Sequence, residues 1–434
     1  MKALKRNFSK AQKTCAAVGI AILLAGCAQV PTAPAGKAPE IPVFPPPPEQ
    51  ARIVWERTLH SSADVIPDDG DAALRRMVTG EVRTGEGLAK PYSVAVRRGK
   101  VYVGDTVNRN VVVFDLVSRK YSRIGTEDPG ALRMPFGLDL DSQGNLYVLD
   151  GTLKRIHVYD ANGKYVRMMG QDLKWSRPAG LAIDEPRKRL YVVDAGGVDN
   201  DNHRVRAIDI QTGKQLFEFG KRGSGNGEFN LPRDAVVGSD GLIYVVDGGN
   251  FRVQVFDGEG KFVKTFGAIG RQSGQFSRPK EIAADTQGYI YVVDTAFGNF
   301  QIFDREGRLL LDVGSRSNSD APAKFMLPSG IAVDVDGRIY MVDQFFRKVE
   351  VFRPAQLPAA APYGVASAAS APSLAATGTP PATAPATAAP ATAAPATAAP
   401  ATAKPATAAP ATPAPATPAP ATAKPATAAP ATPK

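Results

Sequence analysis

The chain has 434 residues, with 52 Lys and Arg against 42 Asp and Glu and a formal net charge of +10. Five positive charges lie in the first 13 residues and three more at Lys404, Lys424 and Lys434, which leaves about +2 on residues 27–353. A nearly neutral body removes the nucleic-acid reading that the total charge invites, and two cysteines, Cys15 and Cys27, are too few for a disulfide scaffold.

From the N-terminus, Lys2, Lys5, Arg6, Lys10 and Lys13 precede an apolar run that ends in Leu24-Ala25-Gly26-Cys27. The run is too short to span a bilayer, so residues 1–26 read as a secretory signal. Leu-Ala-Gly-Cys resembles the lipobox of bacterial lipoproteins. That resemblance implies cleavage before Cys27, lipidation of Cys27, and, with Ala28 following, sorting to the outer membrane of a bacterial envelope. Residues 27–50 are proline-rich and are predicted to form an extended linker. Residues 51–62, around RIVWERTLHS, read as a strand.

Six units follow. VYVGDTVNRNVVVFD, LYVLDGTLKRIHVYD, LYVVDAGGVDNDNHRVRAID, IYVVDGGNFRVQVFD, IYVVDTAFGNFQIFD and IYMVDQFFRKVEVFR are copies of one pattern. Their first aspartates are Asp105, Asp150, Asp194, Asp247, Asp294 and Asp343, at spacings of 45, 44, 53, 47 and 49 residues. A proline opens each unit (RPAGLAID, LPSGIAVD), Gly turns separate the runs, and a fourth run closes on Phe-Gly or a variant. Short runs rich in Val, Ile, Tyr and Phe between Gly, Asn and Asp turns are strands in hairpins. Four per unit, repeated at this period, make propeller blades. The sixth unit lacks its fourth run, and the strand in 51–62 is expected to supply it, joining the chain's start to its end. The expected fold is all-β, a six-bladed propeller over residues 51–353. After Arg353, PATAAP-type sequence runs to Lys434, and residues 354–434 are predicted to be a disordered Pro/Ala/Thr-rich tail.

The string P-x-G-I-A-V-D…G-x-I-Y-V-V-D…N-x-R-V-Q-V-F-D…G-K-F-V-x-x-F-G resembles the NHL repeat, and the chain is similar to six-bladed NHL propellers. An aspartate present in every unit serves the unit, since one active site does not need six copies. The expected role is an ion pair with the arginine opening strand three, Arg155, Arg204 and Arg252 in blades two to four. Blades one, five and six carry Asn110, Asn299 and Lys348 there.

Some propellers of this kind are enzymes, including a zinc-dependent lyase that uses histidines around the channel. The three histidines here, His60, His157 and His203, fall on no inner strand, and no nucleophile motif or phosphate loop is present. No catalytic residue and no cofactor is predicted. Asp199 and Asp201, in the blade-three insertion, are weak calcium candidates. The positions that break the repeat are more informative. Where blades two, three and six have glycine two places after the repeat proline, blades four and five carry Asp234 and Glu281, preceded by Arg233 and Lys280, and blade one has Ser93, preceded by Tyr92. The loops after strand two add Phe251, Phe297, Phe345 and Phe346. If inner strands begin at the channel mouth, these form a recognition surface for an envelope protein, peptide or glycan. The alternative is a metal-dependent lyase or hydrolase with Asp234 and Glu281 as ligands or acid/base.

Overall fold

The structure, a computed structural model, describes residues 40–366 except 69 and 82. The segment expected to be a signal, Cys27, the first part of the expected linker and residues 367–434 of the expected tail lie outside the described residues. Six antiparallel sheets are arranged so that each inner strand contacts the next and the last contacts the first. Blade one runs Pro91–Arg97, Lys100–Asp105, Asn110–Asp115 and Lys120–Ile124. Blades two to five open at Pro135–Leu140, Pro178–Asp184, Ala235–Val237 and Pro279–Ala284. They close at Tyr165–Met169, Gln215–Phe219, Phe262–Phe266 and Leu309–Val313.

The second strand shows why the sequence builds this shape. In Ile243–Asp247, Ile243 and Val245 pack with Tyr191 and Val205 of blade three, while Tyr244 and Val246 pack with Ile282 and Phe303 of blade five. Side chains alternate across a strand, so an apolar residue at every position requires a neighbour on both sides. Each blade alone would expose one of these faces.

Blade six takes Pro328–Val333, Ile339–Asp343 and Lys348–Pro354 from the chain's end and Ile53–Leu59 from its beginning. Ile53 lies opposite Pro354 and Leu59 opposite Val349, both Ile53 and Leu59 fully buried. The seam also carries a buried polar cluster. Glu350, fully buried, accepts from Trp55 Nε1 and from Thr58 Oγ1 at 3.0 Å and pairs with Lys348 Nζ at 2.6 Å.

Two boundaries differ from the sequence expectation, and one element is additional to it. The linker assigned to 27–50 contains Val43–Phe44, a fifth strand outside Ile53–Leu59, with Phe44 6.2 Å from Phe352. The span between the closing strand and blade one contains a helix, Gly70–Thr79, whose Leu74, Met77 and Val78 face solvent. The tail begins later than Pro354. Residues 361–364 fold back onto Arg338, which has no exposed surface. Its guanidinium donates to Glu56 at 2.8 Å, to Asp336 at 2.6 Å and to the carbonyls of Ala361 at 2.9 Å and Pro362 at 3.3 Å. The Tyr363 ring lies 4.2 Å from it, and the Tyr363 hydroxyl donates to Glu56 at 2.7 Å. Low-complexity composition hid this latch, because the chain supplies carbonyls and a single aromatic rather than an apolar pattern.

A chain ending at Leu357 loses two acceptors of a buried cation and the Tyr363 cover, and should lose about 2–4 kcal/mol of stability. A chain ending at Ala366 keeps every one of these contacts. Thermal unfolding of the two truncations should therefore separate them, the shorter melting lower; equal melting temperatures would mean that the latch contributes nothing.

Candidate functional site at the channel mouth

Each first aspartate sits at the end of strand two, opposite or near the proline that opens the inner strand. Pro91 pairs with Asp105, Pro178 with Asp194 and Pro279 with Asp294, with a register shift directly after each proline. All six aspartates are fully buried. Asp294 accepts from Ser277 N at 2.7 Å and Arg278 N at 2.9 Å on the incoming chain, and from Ala296 N and Phe297 N in its own turn. Asp105 does the same for Lys90 N, Asp150 for Met134 N, Asp194 for Arg177 N and Asp343 for Leu327 N, while Asp247 takes Asn230 N at 2.7 Å. A carboxylate with several N–H donors is a fixed anchor for two loops that no strand ladder satisfies.

The expected arginine pairing holds in one blade of three. Arg252 Nε lies 2.9 Å from Asp247. Arg204 instead pairs with Glu218 at 2.7 Å, and Arg206, two residues along the same face, takes Asp194 at 3.1 Å. Arg155 turns to the Leu153 carbonyl and the Met168 sulfur. Backbone N–H groups already fill Asp150, so the arginine is optional. Asn110 and Asn299 lie opposite Asp105 and Asp294 in register. Lys348 lies opposite Asp343 and is drawn to Asp320 and Glu350.

The anchored backbone places variable residues around one opening. Immediately before the repeat proline stand Lys90, Arg177 and Arg278; immediately after it stand Tyr92, Phe136, Arg233 and Lys280. Tyr92 and Phe136 pack at 4.8 Å, and Lys280 Nζ lies 4.1 Å from the centre of the Tyr92 ring. Lys90, Arg177 and Arg278 are exposed, Arg233 and Lys280 half-buried. None of these five cations has an ion-pair partner among the described residues. Burial pulls the Lys280 ammonium down to about 8, against the pull of Glu281 and with help from Arg233, Arg278 and Lys90. Burial likewise lowers Arg233. Tyr92 is pushed up, by burial and then by Glu281.

Beneath the cations the bore is acidic. A cavity of about 140 Å³ is lined by Ser93, Asp139, Asp234 and Glu281 with the apolar parts of the inner strands, and by Arg97, which donates to the Ser142 carbonyl at 2.6 Å. Each carboxylate reaches across to the next inner strand: Asp139 accepts from Ile183 N at 2.8 Å and Asp234 from Ile282 N at 3.2 Å, and Glu281 takes the Ile331 amide. Gly180 makes this possible, because a Cβ there would meet Asp234 Oδ1 at 2.1 Å. Burial pushes Asp139 up to about 6 and Asp234 up to about 7, with Asp139 adding to the rise at Asp234. Burial, then Asp234, raises Glu281 well above the usual carboxylate range. Asp139 was missed in the sequence. Its signal was an aspartate in PFGLDL where blades one, three, five and six carry alanine.

The other candidates disperse. Phe251 packs into the junction of blades four and five, Phe297 is half-buried, and Phe346 lies against Phe345 and Lys348. Only Phe345, 58% exposed, is open to a partner. Asp199 and Asp201 are exposed and do not converge: Asp201 points to Arg222 at 3.6 Å, and Asp199 to Asn200 at 3.5 Å. His203 braces that loop from inside, its ring between the Phe229 and Gly197 carbonyls. His157 is buried in strand three, and His60 sits at the surface beside Asp320. Among the described residues no three His, Cys, Asp or Glu side chains are placed to hold a metal ion.

Asp139 and Asp234 bind protons more tightly folded than unfolded. Their contribution to stability is complete below about pH 4 and is lost as pH rises through about 6 and 7. Asp234→Asn keeps the acceptor oxygen and abolishes the titration. Its melting temperature relative to wild type should rise steadily between pH 4 and pH 8; a constant difference would show that Asp234 titrates as an ordinary carboxylate.

With this geometry in hand, the chain can be set beside known proteins. The NHL repeat family model matches residues 229–256. NHL repeat-containing protein 3 of Homo sapiens is 32% identical over 108 residues, 23% of this chain and 30% of that protein. RING finger protein nhl-1 of Caenorhabditis elegans is 33% identical over 263 residues, 52% of this chain and 26% of that protein. The chain thus spans less than a third of either relative's length. Among solved structures, a streptogramin B lyase covers 61% of this chain and 94% of its own at 13% identity, with a TM-score of 0.46. The chain is a six-bladed β-propeller that carries the NHL repeat.

Proposed function

We propose that this propeller is a non-catalytic recognition module, anchored through an acylated Cys27 at the bacterial outer membrane, whose channel mouth binds a protein, peptide or glycan of the envelope. One observation carries the reading. Lys90, Arg177, Arg233, Arg278 and Lys280 come from four blades to one opening, beside Tyr92 and Phe136, and none has a counter-ion among the described residues. Bringing like charges together costs folding free energy, and the fold does not need these cations, since the anchor at each blade is a backbone contact. A ligand is the simplest reason for them.

The alternative, a metal-dependent lyase or hydrolase at the same mouth, would use Asp234 and Glu281. Burial holds these carboxyls toward the protonated form. That suits a general acid and works against metal ligation.

Two measurements test the proposal together. Cys27→Ser should move the protein from the membrane fraction to the soluble periplasm, because multiple acyl chains make anchoring stable; retention in the membrane would refute the lipid anchor. Cross-linking in the native envelope should recover a partner with wild type and lose it with Arg233→Gln/Lys280→Gln. Equal recovery by both would remove the mouth as the binding surface.

A further inference from the structure

The mouth gathers cations and the bore beneath it gathers carboxyls that burial holds toward the neutral form, and that layering specifies a ligand chemistry. Resting on the reading of the mouth as the ligand site, we infer that it takes an oxyanion, a carboxylate or phosphate group, seated among Lys90, Arg177, Arg233, Arg278 and Lys280 and stopped there by the acidic bore. The cations form two tiers. Lys90, Arg177 and Arg278 are exposed, and Arg233 and Lys280 lie half-buried inside them, within electrostatic reach of one another and of Tyr92. Oxyanions match this arrangement because arginine presents forked donors to them.

Two features limit the ligand's size and depth. Below the cations, none of which lines it, the bore narrows to a cavity of about 140 Å³, too small to pass a threaded polymer. Asp139, Asp234 and Glu281 line it, with Arg97 at the far end of its strand, and each of these carboxyls that ionises repels an anion that descends further. Ser93 lies in the same cavity, 2% exposed, and its hydroxyl has no hydrogen-bond partner. Its Oγ sits over Gly104, where an added Cβ would meet it at 2.7 Å. The neighbouring hydroxyl, Ser329 Oγ, is already committed to the Tyr92 carbonyl at 2.6 Å.

The layering also couples binding to protons. An anion over Asp234 and Glu281 favours their neutral forms and the charged form of Lys280, so binding draws protons in. Asp139, Asp234 and Glu281 gain or keep protons and Lys280 keeps its own; the other charged groups facing the site are Lys90, Arg97, Arg177, Arg233 and Arg278. As pH rises through about 7 and then about 8, Asp234 gains negative charge and Lys280 loses positive charge. Both changes weaken anion binding.

Titration calorimetry of the full chain with citrate and with inorganic pyrophosphate tests this directly. Saturable binding is expected, with net proton uptake near pH 7.5 read from buffers of different ionisation heat, and with affinity falling from pH 6 to pH 9. Arg177→Gln/Arg278→Gln should weaken it about tenfold, and Asp234→Asn should reduce the proton uptake. Long-chain polyphosphate separates the sources: one protein per chain end means that the group is a polymer terminus, whereas binding of pyrophosphate alone means a free small anion. No binding of citrate or pyrophosphate at millimolar concentration, or unchanged affinity in the arginine variant, would overturn the oxyanion assignment. If cross-linking to an envelope partner still depended on Arg233 and Lys280, the recognition reading would survive that failure; if it did not, both would fall.

Discussion

The interaction on which this structure depends is a buried carboxylate holding two stretches of backbone that no strand can satisfy. At the end of every second strand an aspartate with no exposed surface accepts N–H groups from the chain entering the blade. In all six it also accepts from side chains or amides of its own turn or third strand. Charge-assisted bonds to amides are worth roughly 1.5–3 kcal/mol each, and removing the carboxylate strands the donors in the interior. The repeat conserves its architecture by repeating this anchor, not by repeating an ion pair.

The anchor has a consequence for function. The amides it holds belong to Lys90, Met134, Arg177, Arg278 and Leu327, the residues next to the repeat proline. A backbone contact fixes the position of each without constraining its side chain. The repeated residue and the variable residue are therefore neighbours by construction. Blades one, three, four and five use that freedom to place cations, blade two places Phe136, and blades two, four and five place carboxylates one layer lower. A positive opening over an acidic bore results from substitutions at a few positions in an otherwise uniform frame, which is how one fold accommodates many ligands.

The fold class was legible because alternation and turns are local. In Ile243–Asp247 each residue's face follows from its position alone. The mouth was legible in part, since Asp234, Glu281, Arg233, Lys280 and Tyr92 depart from a register that the other copies define. Asp139 departs from it too, but the eye passes over one aspartate in a chain with an aspartate at every turn. The partner choices of Arg155 and Arg204 were not legible, because a long side chain selects among acceptors that only the folded sheet brings near. The latch on Arg338 was hidden for a different reason: its contacts are main-chain carbonyls, and any residue supplies those. Phe251 shows the opposite error, an exposed-looking aromatic in a turn that the blade junction absorbs.

The most direct test of the anchor is residue-resolved amide hydrogen exchange of the native chain. The amides of Arg177 and Arg278 lie outside the strands, and their only described acceptors are Asp194 and Asp294. They should exchange as slowly as amides within the neighbouring ladders, and Asp294→Ala should release Ser277 and Arg278 while leaving Arg177 protected. Fast exchange at Arg177 and Arg278 in the unmodified protein would contradict the claim that buried aspartates hold the channel mouth in place.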